Sequence, residues 1–159
     1  MFFKNYVDRA IAVIKGGPHY PDIYGEVEFR QLSEGVELIV RVHNLPPFYR
    51  EDDLVIGPFG FHIHDGDSCD LGTEDNPFPN TGAHYNPTNT IHPNHAGDLP
   101  VIMPMTDGTA YMRFVTDRFR LNEVIGKPVV IHQSPDDFRT QPAGNSGLKI
   151  ACGIISPLR

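Results

Sequence analysis

The chain has 159 residues, enough for one domain with a real hydrophobic core and too few for two ordinary ones. Hydrophobic residues at 40% and charged residues at 21% exclude a disordered chain, and no apolar run approaches the roughly 18 to 20 residues of a membrane span. A formal net charge of -7 leaves no cationic run to neutralise phosphates, so neither a nucleic-acid nor a membrane partner is expected.

The first residues, Met1-Phe2-Phe3-Lys4-Asn5-Tyr6-Val7-Asp8-Arg9, break their apolar character with charges before a signal-peptide core forms. The expected compartment is therefore the cytoplasm; an artificial start at Met1 would leave a periplasmic or secreted protein instead. Residues 10–14 and 25–30 read as strands, with Ser33-Glu34-Gly35 as a hairpin turn into the next. There Val36, Leu38, Val40 and Val42 point one way and Glu37, Arg41 and His43 the other, with Ile39 the exception, which is the period of a half-buried strand. Alternation returns at residues 109–115, with Ala110, Met112 and Phe114 on one face, and the apolar runs 128–131 and 148–155 read as buried strands. Only residues 118–124 leave room for a short helical piece. Fifteen Gly and fifteen Pro spread along the chain favour many short strands over long helices. Seven or eight strands at this spacing predict one all-β domain over residues 1–159, an antiparallel β-sandwich or flattened barrel. Two polar, Gly- and Pro-rich stretches, 65–108 and 133–147, break the strand rhythm, and loops of that length abutting histidines read as functional.

Histidine is the compositional outlier: eight copies, six of them between His62 and His132. His62 and His64 stand at i and i+2 on a strand, so both project from one face and can grip one metal ion. Asp65 and Asp67 follow, but a metallo-hydrolase HxHxD motif needs a further His directly after the Asp. His84, His92, His95 and Asp98 offer three imidazoles and one carboxylate within fifteen residues, the closed N3O set of a structural zinc site. His132 ends an apolar strand, where a lone His is usually structural; beside His62, His64 and His84 it becomes a fourth nitrogen of a set that suits Cu(II). Cys69 and Cys152 lie too far apart for a CxxC motif and are either free buried thiols or one long-range disulfide, with composition alone favouring free thiols.

Four motifs in one order carry a resemblance. Gly60-Phe61-His62-Ile63-His64, Gly82-Ala83-His84-Tyr85-Asn86-Pro87, His95-Ala96-Gly97-Asp98-Leu99-Pro100, and Gly144-Asn145-Ser146-Gly147 leading to Ala151-Cys152-Gly153 resemble the copper–zinc superoxide dismutases from about residue 23 onward. The resemblance implies a Greek-key β-sandwich, or flattened eight-stranded barrel, with two long functional loops. It implies a copper ion held by His62, His64, His84 and His132, and a zinc ion held by His84, His92, His95 and Asp98. Asp136 falls where the family has a carboxylate linking a copper His to a zinc His, here His62 and His92. Cys69 and Cys152 match the family's intrasubunit disulfide, which displaces the free-thiol reading.

The implied activity is dismutation of superoxide: Cu(II) takes an electron from one superoxide and releases O2, and Cu(I) returns it to a second, which two protons convert to H2O2. His84 is the expected proton carrier. Acidity overall is no obstacle to an anionic substrate, because a focused local field attracts it. Homodimers and monomers both occur in the family, so a homodimer is an expectation that the residues do not decide.

Departures from the family pattern are specific. Lys149 stands where the family has Arg beside copper, keeping the charge but replacing a planar fork with a compact ammonium. The loss of one charge-assisted hydrogen bond, about 1.5 kcal/mol, corresponds to a roughly tenfold slower reaction. Gln133, Ser134 and Pro135 replace a more charged loop start, and Arg139, the only cation of the 133–147 loop, reads as a solvated surface residue. His92 and His95 are only three apart, which compresses the zinc segment, and the linker from Asp65 to Cys69 is short, as in bacterial members. The rival readings are a non-enzymatic copper- or zinc-binding relative, which the intact copper set opposes, and a cupin, which wants a Glu shortly after its HxH. His19, His43, Phe48 and Tyr49 fall outside the motifs and read as surface or turn positions.

Overall fold

The computed structural model describes residues 6–158; Met1 to Asn5, part of the stretch behind the compartment expectation, and Arg159 lie outside them. Strand β1 (Arg9–Gly16) buries Ala10, Ala12 and Ile14 and turns Arg9, Val13 and Lys15 outward. β2 (Tyr24–Gln31) and β3 (Val36–His43) follow the same period, with Val27 opposite Val40 and Phe29 opposite Leu38. Next come a small separate hairpin of β4 (Tyr49–Glu51) and β5 (Leu54–Ile56), then β6 (Phe61–Ile63). β7 (Ala110–Thr116), the one-turn helix α1 (Leu121–Val124), β8 (Pro128–His132) and β9 (Lys149–Pro157) complete the chain.

The large sheet is antiparallel in the order β6-β8-β9-β1-β2-β3-β7, curled into a half-barrel around one core. Neighbours such as β1 with β9, β6 with β8 and β3 with β7 are distant in sequence, so long connections cross the ends of the sheet. The expected all-β antiparallel fold is thus present, as a half-barrel whose strands, among the described residues, divide into a sheet of seven and a hairpin of two. The outer edge of β6 is taken up by residues 97–102: Ile63 N–H donates to the Gly97 carbonyl at 2.9 Å, and Phe59 and Ile102 exchange both main-chain bonds at 2.9 and 2.8 Å. That run lays the histidine-rich loop against the strand that carries His62.

Glu37 departs from the half-buried pattern expected of β3. Its carboxylate is buried and accepts from Nε and Nη2 of Arg113 at 2.8 and 2.6 Å, a diagonal pair across β3 and β7. β8 has no alternation because both of its faces are covered. Val129 and Ile131 enter the core, while Val130 packs with Phe78 and Cys152 on the other side. Cys69 is disulfide-bonded to Cys152, with Cα atoms 5.7 Å apart, so the start of the 65–108 loop is fastened over the outer face of β8 and β9. The pairing matches the family expectation and not the composition-based one. His19 is exposed in a turn, His43 stacks on Tyr24 at the end of β3, and Phe48, Tyr49 and Arg139 are exposed.

Candidate metal centre

Period-two geometry places the first residues of the site. Phe61 and Ile63 point into the core, so His62 and the following His64 share the opposite face of β6. On β8 the same face carries Val130, opposite His62 in register, and then His132, where a bulge between Ile131 and His132 turns the chain toward the loop. His84 arrives from the long loop and forms a bridge with His64. His62, His64, His84 and His132 are all buried, each offering a ring nitrogen within 4.8 Å of the others. The Nε2 atoms of His64 and His132 face each other at 3.1 Å.

A second group shares His84. His84, His92, His95 and Asp98 also bring one donor atom each within 4.8 Å of one another, all buried. Asp98 is its centre: Oδ1 accepts from His84 Nδ1 at 2.7 Å, and Oδ2 lies 3.1 Å from His92 Nδ1 and 3.3 Å from His95 Nδ1. Oδ2 also accepts the His95 main-chain N–H at 3.0 Å.

Most rings have one nitrogen committed to the protein. His62 Nε2 and His92 Nε2 donate to the two oxygens of Asp136 at 2.7 and 2.8 Å. His64 Nδ1 donates to the Gly82 carbonyl at 2.8 Å and His132 Nδ1 to that of Gly147 at 3.3 Å. What remains is telling: His62 Nδ1, His84 Nε2, His92 Nδ1 and His95 Nδ1 are buried without any hydrogen-bond partner. Each such group ordinarily costs about 1 to 3 kcal/mol, a penalty that coordination removes. His84 faces one group with Nε2 and the other with Nδ1, so it alone belongs to both. One set is four imidazole nitrogens, suited to copper, and the other is N3O, suited to zinc.

Electrostatics keep the lone pairs free. Burial lowers the pKa of His62, only partly opposed by Asp136, and drives His64 and His132 well below the ordinary value, with neighbouring imidazoles adding to the effect. Neutral rings are the form that binds metal. Burial opposes the Asp136 carboxylate, yet the bonds from His62, the Phe138 N–H and His92 outweigh it and hold the pKa at about 2. At Asp98 burial is likewise overcome by the hydrogen bond from His84, so its pKa lies below the usual carboxylate range.

Lys149 stands beside these groups and not within them. Its Nζ donates to the Phe78 carbonyl at 3.0 Å, burial lowers its pKa, and its charge contributes to depressing His64. Three other residues bear on the site: Gly144, which opens the last of the four motifs, and Gln141 and Arg118, which no motif announces. Gly144 has φ +69, and a Cβ there would overlap Asp136 Oδ1 and crowd His92 Nε2, so only glycine lets the second loop close on that carboxylate. Gln141 and Arg118 hold the main chain around His92, Pro93 and His95. A polar side chain in a polar loop carries no sequence signal of that kind.

A family model described as Copper/zinc superoxide dismutase (SODC) matches residues 23–155. The chain is 36% identical over 121 residues to a Superoxide dismutase [Cu-Zn] of Deinococcus radiodurans, a match covering 66% of each protein. It is 32% identical over 148 residues to Superoxide dismutase [Cu-Zn] 2 of Aquifex aeolicus, covering 84% of this chain and 80% of that one. Its fold is similar to the Cu/Zn superoxide dismutase from Brucella abortus, with a TM-score of 0.77 and 26% identity over 93% of this chain and 99% of that one. The chain belongs to the copper–zinc superoxide dismutase family. Copper and zinc are the metals of that family, and the two residue groups fit both.

Proposed function

We propose that the chain dismutates superoxide to O2 and H2O2. The observation that carries this is the sharing of His84 between an all-imidazole group and an N3O group, with Asp136 bonded to one ring of each. His62, His64, His84 and His132 hold copper, and His84, His92, His95 and Asp98 hold zinc. When bound, copper supplies the alternating one-electron chemistry and zinc a fixed positive charge.

The chain's own residues do the rest. Asp136 fixes the ring orientations of His62 and His92 and raises their basicity. His84 Nε2, buried and unpartnered, is the atom at which a proton is taken up and passed on. Lys149 spends one of its three N–H groups on Phe78 and has two left to attract and orient an anion.

Metal content and dismutation measured on one reconstituted sample test this. One copper and one zinc per chain with fast, cyanide-sensitive turnover is the expected result. Both metals bound with negligible turnover would instead assign the chain to metal storage or delivery.

A further inference from the structure

His92 and His95 are only three residues apart, in a turn that has few main-chain bonds of its own, Asn94 N–H to the Ile91 carbonyl at 2.8 Å being one. Asp98 closes it from one side, its N–H donating to the His95 carbonyl at 3.2 Å and its Oδ2 accepting the His95 N–H at 3.0 Å, and Thr90 Oγ1 donates to the Asn94 carbonyl at 2.8 Å. Two side chains from elsewhere add to these. Gln141, in the 133–147 loop, accepts the His92 N–H with Oε1 at 3.0 Å and donates Nε2 to the His92 carbonyl at 2.7 Å. The pairing is reciprocal, like that of neighbouring strand residues, and it fixes the amide orientation, since the N–H can only donate and the carbonyl only accept. Arg118, just beyond β7, donates Nη1 to the carbonyls of Pro93 at 2.7 Å and His95 at 3.0 Å. These are charge-assisted bonds, the stronger kind.

We propose that Gln141 and Arg118 are positioning residues for zinc, a clamp that sets the main chain of residues 92–95 so that the two rings meet Asp98. This rests on His92 and His95 being zinc ligands. The rings themselves are steered by Asp136 and Asp98, but a ring can be steered only as well as its backbone is placed. Because Gln141 sits five residues after Asp136, the same short loop grips His92 twice, at the ring and at the main chain. The clamp thereby joins the order of the 133–147 loop to zinc occupancy.

The test uses the copper-free full chain with zinc, and with cobalt(II) as a spectroscopic substitute. Gln141→Met keeps length and removes both bonds; Arg118→Met removes the other two. Each is expected to weaken zinc binding by about 10- to 100-fold in competition with a chromogenic chelator, the range for groups that orient metal ligands. At saturating cobalt the visible bands should shift in position, a signature that mere loss of fold stability would not produce. Arg118→Lys, which retains a donor, should recover part of the affinity. Should either methionine variant not fold, Gln141→Asn, one methylene too short to reach His92, gives the same reading, and Arg118→Lys gives a smaller loss of the same sense. Zinc dissociation constants within twofold of the unaltered chain, with unchanged cobalt spectra, would overturn the clamp. An unaltered chain that binds no zinc tightly would overturn the ligand assignment itself.

Discussion

Two residues tie local environment to measurable chemistry. Lys149 is half-buried and bonded to a carbonyl, and burial lowers its pKa below the ordinary lysine value. It is charged below that pKa and neutral above it, so anion attraction is present at neutral pH and fades as the solution becomes alkaline. The dismutation rate constant is expected to fall with rising pH earlier than an arginine would allow. Lys149→Arg should abolish that decline and raise the rate about tenfold, as measured by pulse radiolysis across the alkaline range. An unchanged rate and profile would remove Lys149 from substrate attraction. Asp136 has the opposite sense. Its folded pKa of about 2 lies below its ordinary 3.8, so its contribution is complete above about pH 4 and is lost as pH falls toward 2. That contribution is on the order of 2 kcal/mol. In the metal-free chain, Asp136→Asn should flatten the acid limb of stability in this window, read from denaturant midpoints.

At the scale of elements, the disulfide matters because it fastens a long irregular segment to a strand. Cys69 and Cys152 are separated by 83 residues, and beneath the bond Phe78 packs on Val130. That packing makes β8 inaccessible from outside and places the Phe78 carbonyl under Lys149. Replacing both cysteines with alanine is expected to cost about 2 to 5 kcal/mol in thermal or chemical unfolding. A loss below about 1 kcal/mol would show that the Phe78 packing, with its bond to Lys149, holds the loop unaided. The loop of residues 97–102 acts differently, by completing the edge of β6 with main-chain bonds. Strand edges left unpaired invite association, so the metal loop also finishes the sheet.

For the molecule as a whole, the residues proposed as ligands come from β6 and the position after it, β8 and the long 65–108 loop, while the 133–147 loop supplies Asp136, bonded to two of them. A metal bound there joins parts that the core alone does not connect. Stripping with a chelator is expected to lower the thermal midpoint, and zinc followed by copper to raise it in two steps. Free metal at a thousandfold excess over its dissociation constant contributes about 4 kcal/mol, or roughly 10 °C for a chain of this size. A midpoint indifferent to metal would mean that the loops are ordered by their own hydrogen bonds. On the proposed function, the net charge of -7 does not decide substrate attraction, because the local field at Lys149 and the bound metals would govern approach.

Much of the architecture was written locally. Alternation alone located β3 and β7, since a half-buried strand must change character at every residue; residues 10–14 and 25–30, which also read as strands, are β1 and β2. The spacing of His62 and His64 predicts two rings on one face, and the ordered motifs name the other residues that the fold gathers into the two groups, as well as the disulfide. The tertiary structure decided the rest, because those features depend on what lies opposite. Glu37 is buried only because Arg113 reaches it across two strands, and β8 is apolar throughout only because Phe78 and the disulfide roof its outer face. Strands β4 and β5, three residues each, are too short for a period to announce them, although Ile56 of β5 enters the core. Gln141 and Arg118 are ordinary polar residues in sequence; their bonds to residues 92–95 span 49 and about 25 positions, and contacts between side chain and distant main chain leave no period to read. Sequence determined which atoms can bind metal, through residue type and spacing. Only the fold decided which of their nitrogens are free, through the acceptors it placed on the other side of each ring.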